Sequence, residues 1–125
     1  MRVFKNKWFK KFAKKERISD KKLCDMIKYI ESGSIDVDYG AGLIKQRLAR
    51  PKQGKSSGYR CIILFRLKEK AFFVYGFPKS EKDNITLEDE QAFKDLSQQM
   101  FVFSDDDIEK MLRAGVLEEV TYNDE

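Results

Sequence analysis

Arg50, Lys52, Lys55 and Arg60 crowd the eleven residues RPKQGKSSGYR, which run without a break into the apolar CIILF. Such side chains hold a phosphate well, since a guanidinium grips it bidentately and an ammonium meets it as a point charge. Lys45 and Arg47 precede them in LIKQRLAR, and Lys79 and Lys82 follow AFFVYGFP, where Tyr75 and Phe77 share a face with Lys79 by two-residue alternation. Cations for phosphates and rings for stacking bases are what recognition of single-stranded RNA requires. Arg60 stands apart. It opens a strand apolar enough to be buried, so it needs an anionic partner, either internal (Glu81 for instance) or a substrate phosphate.

Other chemistries fit less well. A nucleotide-binding P-loop needs a glycine where Ala49 stands and a helix where YRCIILF follows. DVDYG (36–40) lacks the third oxygen ligand, the glycine position and the terminal Glu of a calcium loop. The carboxylates of DDD (105–107) suit the first turn of a helix. The chain has no histidine, which excludes histidine-dependent triads, the common zinc sites and the ordinary histidine base. No metal and no small-molecule cofactor is expected.

The elements that must position the cations are legible in the pattern. RVF starts extended, and 7–15 reads as a helix with Trp8, Phe12 and Lys15 on one stripe and Phe9 and Ala13 flanking it. That stripe is read as packing on the core, with Lys7, Lys10, Lys11 and Lys14 outward, rather than as a membrane-surface face. Ser19 or Asp20 caps a second helix, 21–31, with Leu23, Ile27 and Ile30 inside and Gly33 ending it. A turn-rich stretch, SGSIDVDYGAG, precedes a meander of strands at 43–50, 59–68 and 71–79. Thr86 with Asp89, and Ser104 with Asp107, mark helices from 86 to about 100 and over 105–114, and 116–120 adds a short strand.

The fold class is therefore α+β in one domain, 1–125: N-terminal helices packed on a small antiparallel sheet, then C-terminal helices. The helices are expected on one face, with the other open to a ligand. In a meander, the hairpin after the first strand and the end of the third strand lie at one end of the sheet. Cations from distant stretches thus converge there beside two aromatics.

Charge points the same way. Residues 1–60 hold 17 Lys/Arg against 6 Asp/Glu, and residues 61–125 hold 8 against 15. So basic a first half is built to meet a polyanion. Cys24 and Cys61 have no metal or redox spacing, apolar runs stop far short of a bilayer's thickness, and the start lacks a secretory pattern. A reduced, cytoplasmic protein is expected, with no membrane partner.

GLIKQRLARPKQGKSSGYRCIILFR, AFFVYGFPKSEKDNI and MLRAGVLEEV, in this order over roughly residues 40–120, resemble the RelE-like toxins of bacterial type II toxin–antitoxin modules, in the RelE/ParE superfamily. The branch most alike carries a GKSGGYR-type loop, in which Ser57 here replaces a glycine, and a KSEKDNI-type stretch. The resemblance implies a microbial-ribonuclease-like fold, cleavage of mRNA in the ribosomal A site, and a cognate antitoxin. It also implies catalysis without metal, by basic residues and in some members a tyrosine. Lys55 and Arg60 fall in the first motif, and Lys79 and Lys82 in the second.

RNA carries its own nucleophile, the 2′-hydroxyl. The protein must then help remove that proton, stabilise the pentacoordinate phosphate and protonate the leaving 5′-oxygen. Arg60 is the expected phosphate clamp, and Lys79 or Lys82 the proton-handling group, since like charge nearby favours a neutral lysine. Tyr75 or Phe77 would stack a base. Lys45, Arg47 and Lys55, with Arg50 and Lys52 beside them, would hold flanking RNA or ribosomal RNA. Two other activities are compatible with the resemblance: a ParE-like poison of DNA gyrase, and a ribosome- or RNA-binding module that breaks no bond.

Overall fold

The computed structural model describes residues 1–50, 54–82 and 84–121, with the backbone alone at 50 and 54–57. In chain order the elements are β1 (Arg2–Asn6), α1 (Lys7–Glu16), α2 (Asp20–Glu31), β2 (Val37–Gly40), β3 (Leu43–Arg50), β4 (Gly54–Arg66), β5 (Lys70–Pro78), α3 (Leu87–Met100), α4 (Asp105–Arg113) and β6 (Leu117–Glu119). The fold is α+β, with one sheet in the order β2-β3-β4-β5-β1-β6. Its pairs are antiparallel except β1 with β5, which run parallel from Arg2 opposite Lys70 to Lys5 opposite Phe73.

Each helix starts where a side chain satisfies a free backbone N–H. Ser19 accepts from Lys22, Thr86 from Asp89, and Ser104 and Asp107 cap each other reciprocally. Asn6 caps α1 by accepting from the Phe9 N–H at 2.8 Å, while its Nδ2 donates to the Val74 carbonyl at 3.1 Å. One side chain thus turns β1 into α1 and pins that turn to β5.

The sheet has two covered faces, not one. Phe9, Ala13, Leu23, Ile27 and Ile30 of α1 and α2 pack on Ile44, Cys61, Ile63 and Phe73. On the other face Phe93, Leu96, Met100 and Ile108 of α3 and α4 pack on Leu43, Ile62, Leu64 and Phe72. The open face expected from the sequence is therefore corrected. The apolar stripes of α3 and α4 had to be buried somewhere, and β4, apolar on both sides, needed cover on both. Burial of each large side chain here contributes about 1.5–3 kcal/mol.

Two element readings also change. The stretch read as turns contains β2, a short edge strand whose Val37 and Tyr39 are half-buried. β4 begins at Gly54 rather than Tyr59, so much of the basic segment is strand backbone instead of loop.

Candidate nucleic-acid interface

Register across the meander places the side chains. Arg47 lies opposite Arg60, which lies opposite Phe77, and one step inward Lys45 lies opposite Ile62, itself opposite Tyr75. Cross-strand partners share a face, and Ile62 assigns this one to the α3/α4 side. A register shift in β5 between the partners of Ile62 and Ile63 leaves Val74 as an extra residue, so Val74 and Tyr75 both join that face. Lys82 and Ile85 then lie against these rows, Lys82 on Tyr75 and Ile85 buried in the same cluster.

Arg60 is 8% exposed. The one hydrogen bond its guanidinium makes among the described residues is weak, from Nη1 to the Tyr59 carbonyl at 3.3 Å. Glu81, the internal partner considered from the sequence, makes no ion pair with it. Lys82 Nζ donates to the Tyr75 hydroxyl at 2.8 Å and sits 4.8 Å from the Tyr75 ring centroid and 5.2 Å from that of Phe77. A buried cation without a carboxylate therefore lies in register with a ring that carries a second cation. An anion is what this arrangement can hold.

The remaining expected residues divide. Lys45 donates to Asn84 Oδ1 at 3.2 Å, and Asn84 also accepts from the Tyr39 hydroxyl at 2.6 Å, which ties β2 and β3 to the residue next to Ile85. Burial, and next the Glu90 carboxylate, push the Tyr39 phenol up, so it stays a donor. Arg47 is not free for a ligand, because Asp36 pairs with its guanidinium at 3.3 Å and accepts from its N–H at 2.7 Å. Lys79 is exposed, and its side chain has no partner among the described residues. Phe77, at 2% exposure, offers no face for a base and instead floors the site. The side chains of Arg50 and Lys55, and all of Lys52, lie outside the described residues.

One residue was misplaced by the sequence pattern. Trp8 is 42% exposed, while Phe9 and Ala13 take the buried side of α1. Its ring lies 4.6 Å from that of Tyr75 and 5.3 Å from that of Phe12. Lys15, on the same stripe and exposed, was the available signal that the stripe is not the buried one.

Elsewhere there is little competing chemistry. A groove of about 510 Å³ at the far end of the sheet is lined by Ile30, Ile35, Ile44, Phe65 and Leu67, and it has no cluster of cations. Burial pushes the Cys61 thiol up to about 12, so it is neither a nucleophile nor a ligand. Among the described residues no three cysteines or carboxylates are grouped to hold a metal ion, and no helix is long and apolar enough to cross a membrane.

Two comparisons bear on this geometry. The family model described as the RelE toxin of the RelE/RelB toxin–antitoxin system matches residues 1–120. No curated protein matches the chain.

Proposed function

Because the chain belongs to the RelE toxin family, and is thereby a toxin with an antitoxin partner, we propose that it is an endoribonuclease that cuts messenger RNA in the ribosomal A site and so stops translation. The observation that carries this reading is the buried Arg60 guanidinium. It has no carboxylate among the described residues, and it lies in register with Phe77, over which Lys82 sits.

In this reading the scissile phosphate takes the place of the missing carboxylate. The 2′-oxygen attacks phosphorus, the bond to the 5′-oxygen breaks, and the products are a 2′,3′-cyclic phosphate and a 5′-hydroxyl. Arg60 meets the charge that develops on the pentacoordinate phosphate. Tyr75 accepts a hydrogen bond from Lys82, which leaves the phenol's own proton for the leaving oxygen, with Lys82 able to replace it. The 2′-hydroxyl proton passes to water, and Lys79, exposed at the rim, is the candidate to steady the 2′-oxygen with its positive charge as that proton leaves. With no histidine in the chain, catalysis rests on charge and positioning, and the ribosome supplies the in-line geometry of the message. None of these steps calls on a metal or a small-molecule cofactor, and the cytoplasm, where messages are translated, is the proposed location.

Primer extension on a defined message, with purified protein and with or without programmed ribosomes, tests the proposal. A break inside the A-site codon only when ribosomes are present is expected. Cleavage of free RNA would remove the ribosome dependence. Intact message in both conditions would refute the proposal and direct attention to gyrase.

A further inference from the structure

Trp8 is the chain's sole tryptophan. Of the aromatic residues in ring contact with Tyr75, namely Trp8, Phe77 and Phe93, Phe77 is buried, Phe93 half-buried and Trp8 exposed. Its position is built. Asn6 fixes the start of α1 against the Val74 carbonyl. Phe12, one turn on, packs on the face of Gly76, where a Cβ would come within 2.6 Å of Phe12 Cε2. The indole is thereby held over the edge of β5 beyond the stretch that β1 pairs, at 4.6 Å from Tyr75.

The surface around it is cationic. Lys7, Lys11, Lys14 and Lys15 are exposed and make no ion pair among the described residues, whereas Lys10 on the other side is taken by Glu118 at 2.9 Å. Trp8, Lys11 and Lys15 lie on one stripe, three and then four residues apart. Lys11 and Lys15 are separated by about 6 Å of helix rise.

We infer that Trp8 forms a base-binding subsite, in which a base of the substrate RNA next to the cleaved bond seats on the indole while its backbone follows Lys11 and Lys15. The inference rests on the nuclease reading above and extends the substrate path from the sheet onto α1. An exposed indole held rigidly by its neighbours is a low-entropy platform for a π-face, and unpaired lysines beside it meet the phosphates. Because stacking strength differs among bases, the subsite confers a preference for a purine over a pyrimidine at one position beside the cut.

The test compares wild type with Trp8→Ala, Trp8→Phe and Trp8→Leu in the programmed-ribosome cleavage assay, on messages that vary the bases flanking the A-site cut. Trp8→Ala is expected to lower kcat/KM by roughly 5- to 150-fold, chiefly through KM, and to flatten the preference at one position. Trp8→Phe should keep most of the rate and preference, and Trp8→Leu neither, because leucine fills space without a π-face. Lys11→Gln and Lys15→Gln should weaken cleavage without altering base preference.

Circular dichroism melts report whether each variant folds. If Trp8→Ala does not fold, the Phe and Leu pair decides. Wild-type cleavage with Trp8→Leu within twofold at every position would overturn the subsite and leave the nuclease reading standing. Recovery by Leu equal to that by Phe would assign Trp8 to packing, and also overturn it. A wild type that cuts nothing would remove the nuclease reading and this inference with it.

Discussion

Replacing Arg60 by methionine should make this protein more stable and inactive at once. Arg60 is 8% exposed, and among the described residues its guanidinium donates only to the carbonyl of the preceding residue, at 3.3 Å. A charge taken out of water is expensive unless a partner compensates it. Methionine is unbranched and adaptable, reaches a similar depth and needs no partner. Exchanges of buried ionic groups for apolar ones of similar volume range from neutral to a gain of about 1–4 kcal/mol. The weak bond that Arg60 does make places this case at about 1–2 kcal/mol. For a chain of this size that raises Tm by roughly 3–10 °C.

Removal of a preorganised group that meets developing charge lowers rate by about 10²–10³-fold. Arg60→Met is therefore expected to melt higher while its cleavage on programmed ribosomes falls by at least that factor. Arg60→Lys keeps the charge but loses the bidentate fork, and should fall between the two. A Tm that drops by several degrees, with cleavage reduced only in proportion to the folded fraction, would show Arg60 to be a structural arginine and refute the reasoning.

Gly76→Ala puts a methyl 2.6 Å from Phe12 Cε2, and Phe12 is hemmed in by Trp8, Phe9 and Tyr59, so a loss of about 1–3 kcal/mol is expected in urea unfolding. An unchanged midpoint would mean that the Phe12 ring moves freely. Ser97 is buried with its hydroxyl unpartnered among the described residues, so Ser97→Ala should raise stability by about 1 kcal/mol, and a fall would reveal a partner for that hydroxyl. Hydrogen bonds from Lys10 and Lys5 hold the Glu118 carboxyl below its usual 4.5, and a bidentate pair from Arg2 does the same for Glu119. A carboxyl depressed in the folded state gives stability that is present above 4.5 and lost as pH falls through the lower, folded value. Stability should thus decline on acidification from about pH 5 downward, and Glu118→Gln with Glu119→Gln should flatten that slope in melts at successive pH values; an unaltered slope would dismiss the pair.

What the sequence made legible follows from how local each signal is. Caps are set by side chains within three residues: Thr86 and Ser104 act at the expected places, and of Ser19 and Asp20 it is Ser19 that caps α2. The convergence of Arg60, Tyr75 and Phe77 at one end of the sheet was legible because a meander fixes which strand ends meet. The availability of each side chain was not. Arg47 is taken by Asp36, the residue just before β2, a strand that composition disguised as turn. Phe77 lost its free face to packing with Lys82 and in the cluster that holds Ile85, whose placement no periodicity encodes. Trp8 was misassigned because the phase of a short helix depends on where Asn6 anchors it, a contact 68 residues away in sequence. The second covered face depended on where α3 and α4 dock, which is equally non-local.

The split between a basic first half and an acidic second half acquires a spatial meaning in the fold. The carboxylates of the second half do not neutralise the first half evenly. Glu109, Glu118 and Glu119 pair with Arg2, Lys5 and Lys10 along the β1–β6 edge. Lys5, on the strand between β5 and β6, is buried by this arrangement and shares Asp20 as a further partner at 2.9 Å. Three carboxylates of the acidic half therefore close this edge of the sheet, and their charges are taken up there. At the other end, Arg60, Lys79 and Lys82 and, on α1, Lys7, Lys11, Lys14 and Lys15 make no ion pair among the described residues, and packing holds Lys82 through the Tyr75 and Phe77 rings. Cations positioned by rings and by backbone register, rather than by counter-charges, stay available to an incoming polyanion. A chain with a net charge of only +4 thus keeps Arg60, Lys79 and Lys82 out of ion pairs among the described residues, while Arg47, opposite Arg60 on the next strand, is taken by Asp36.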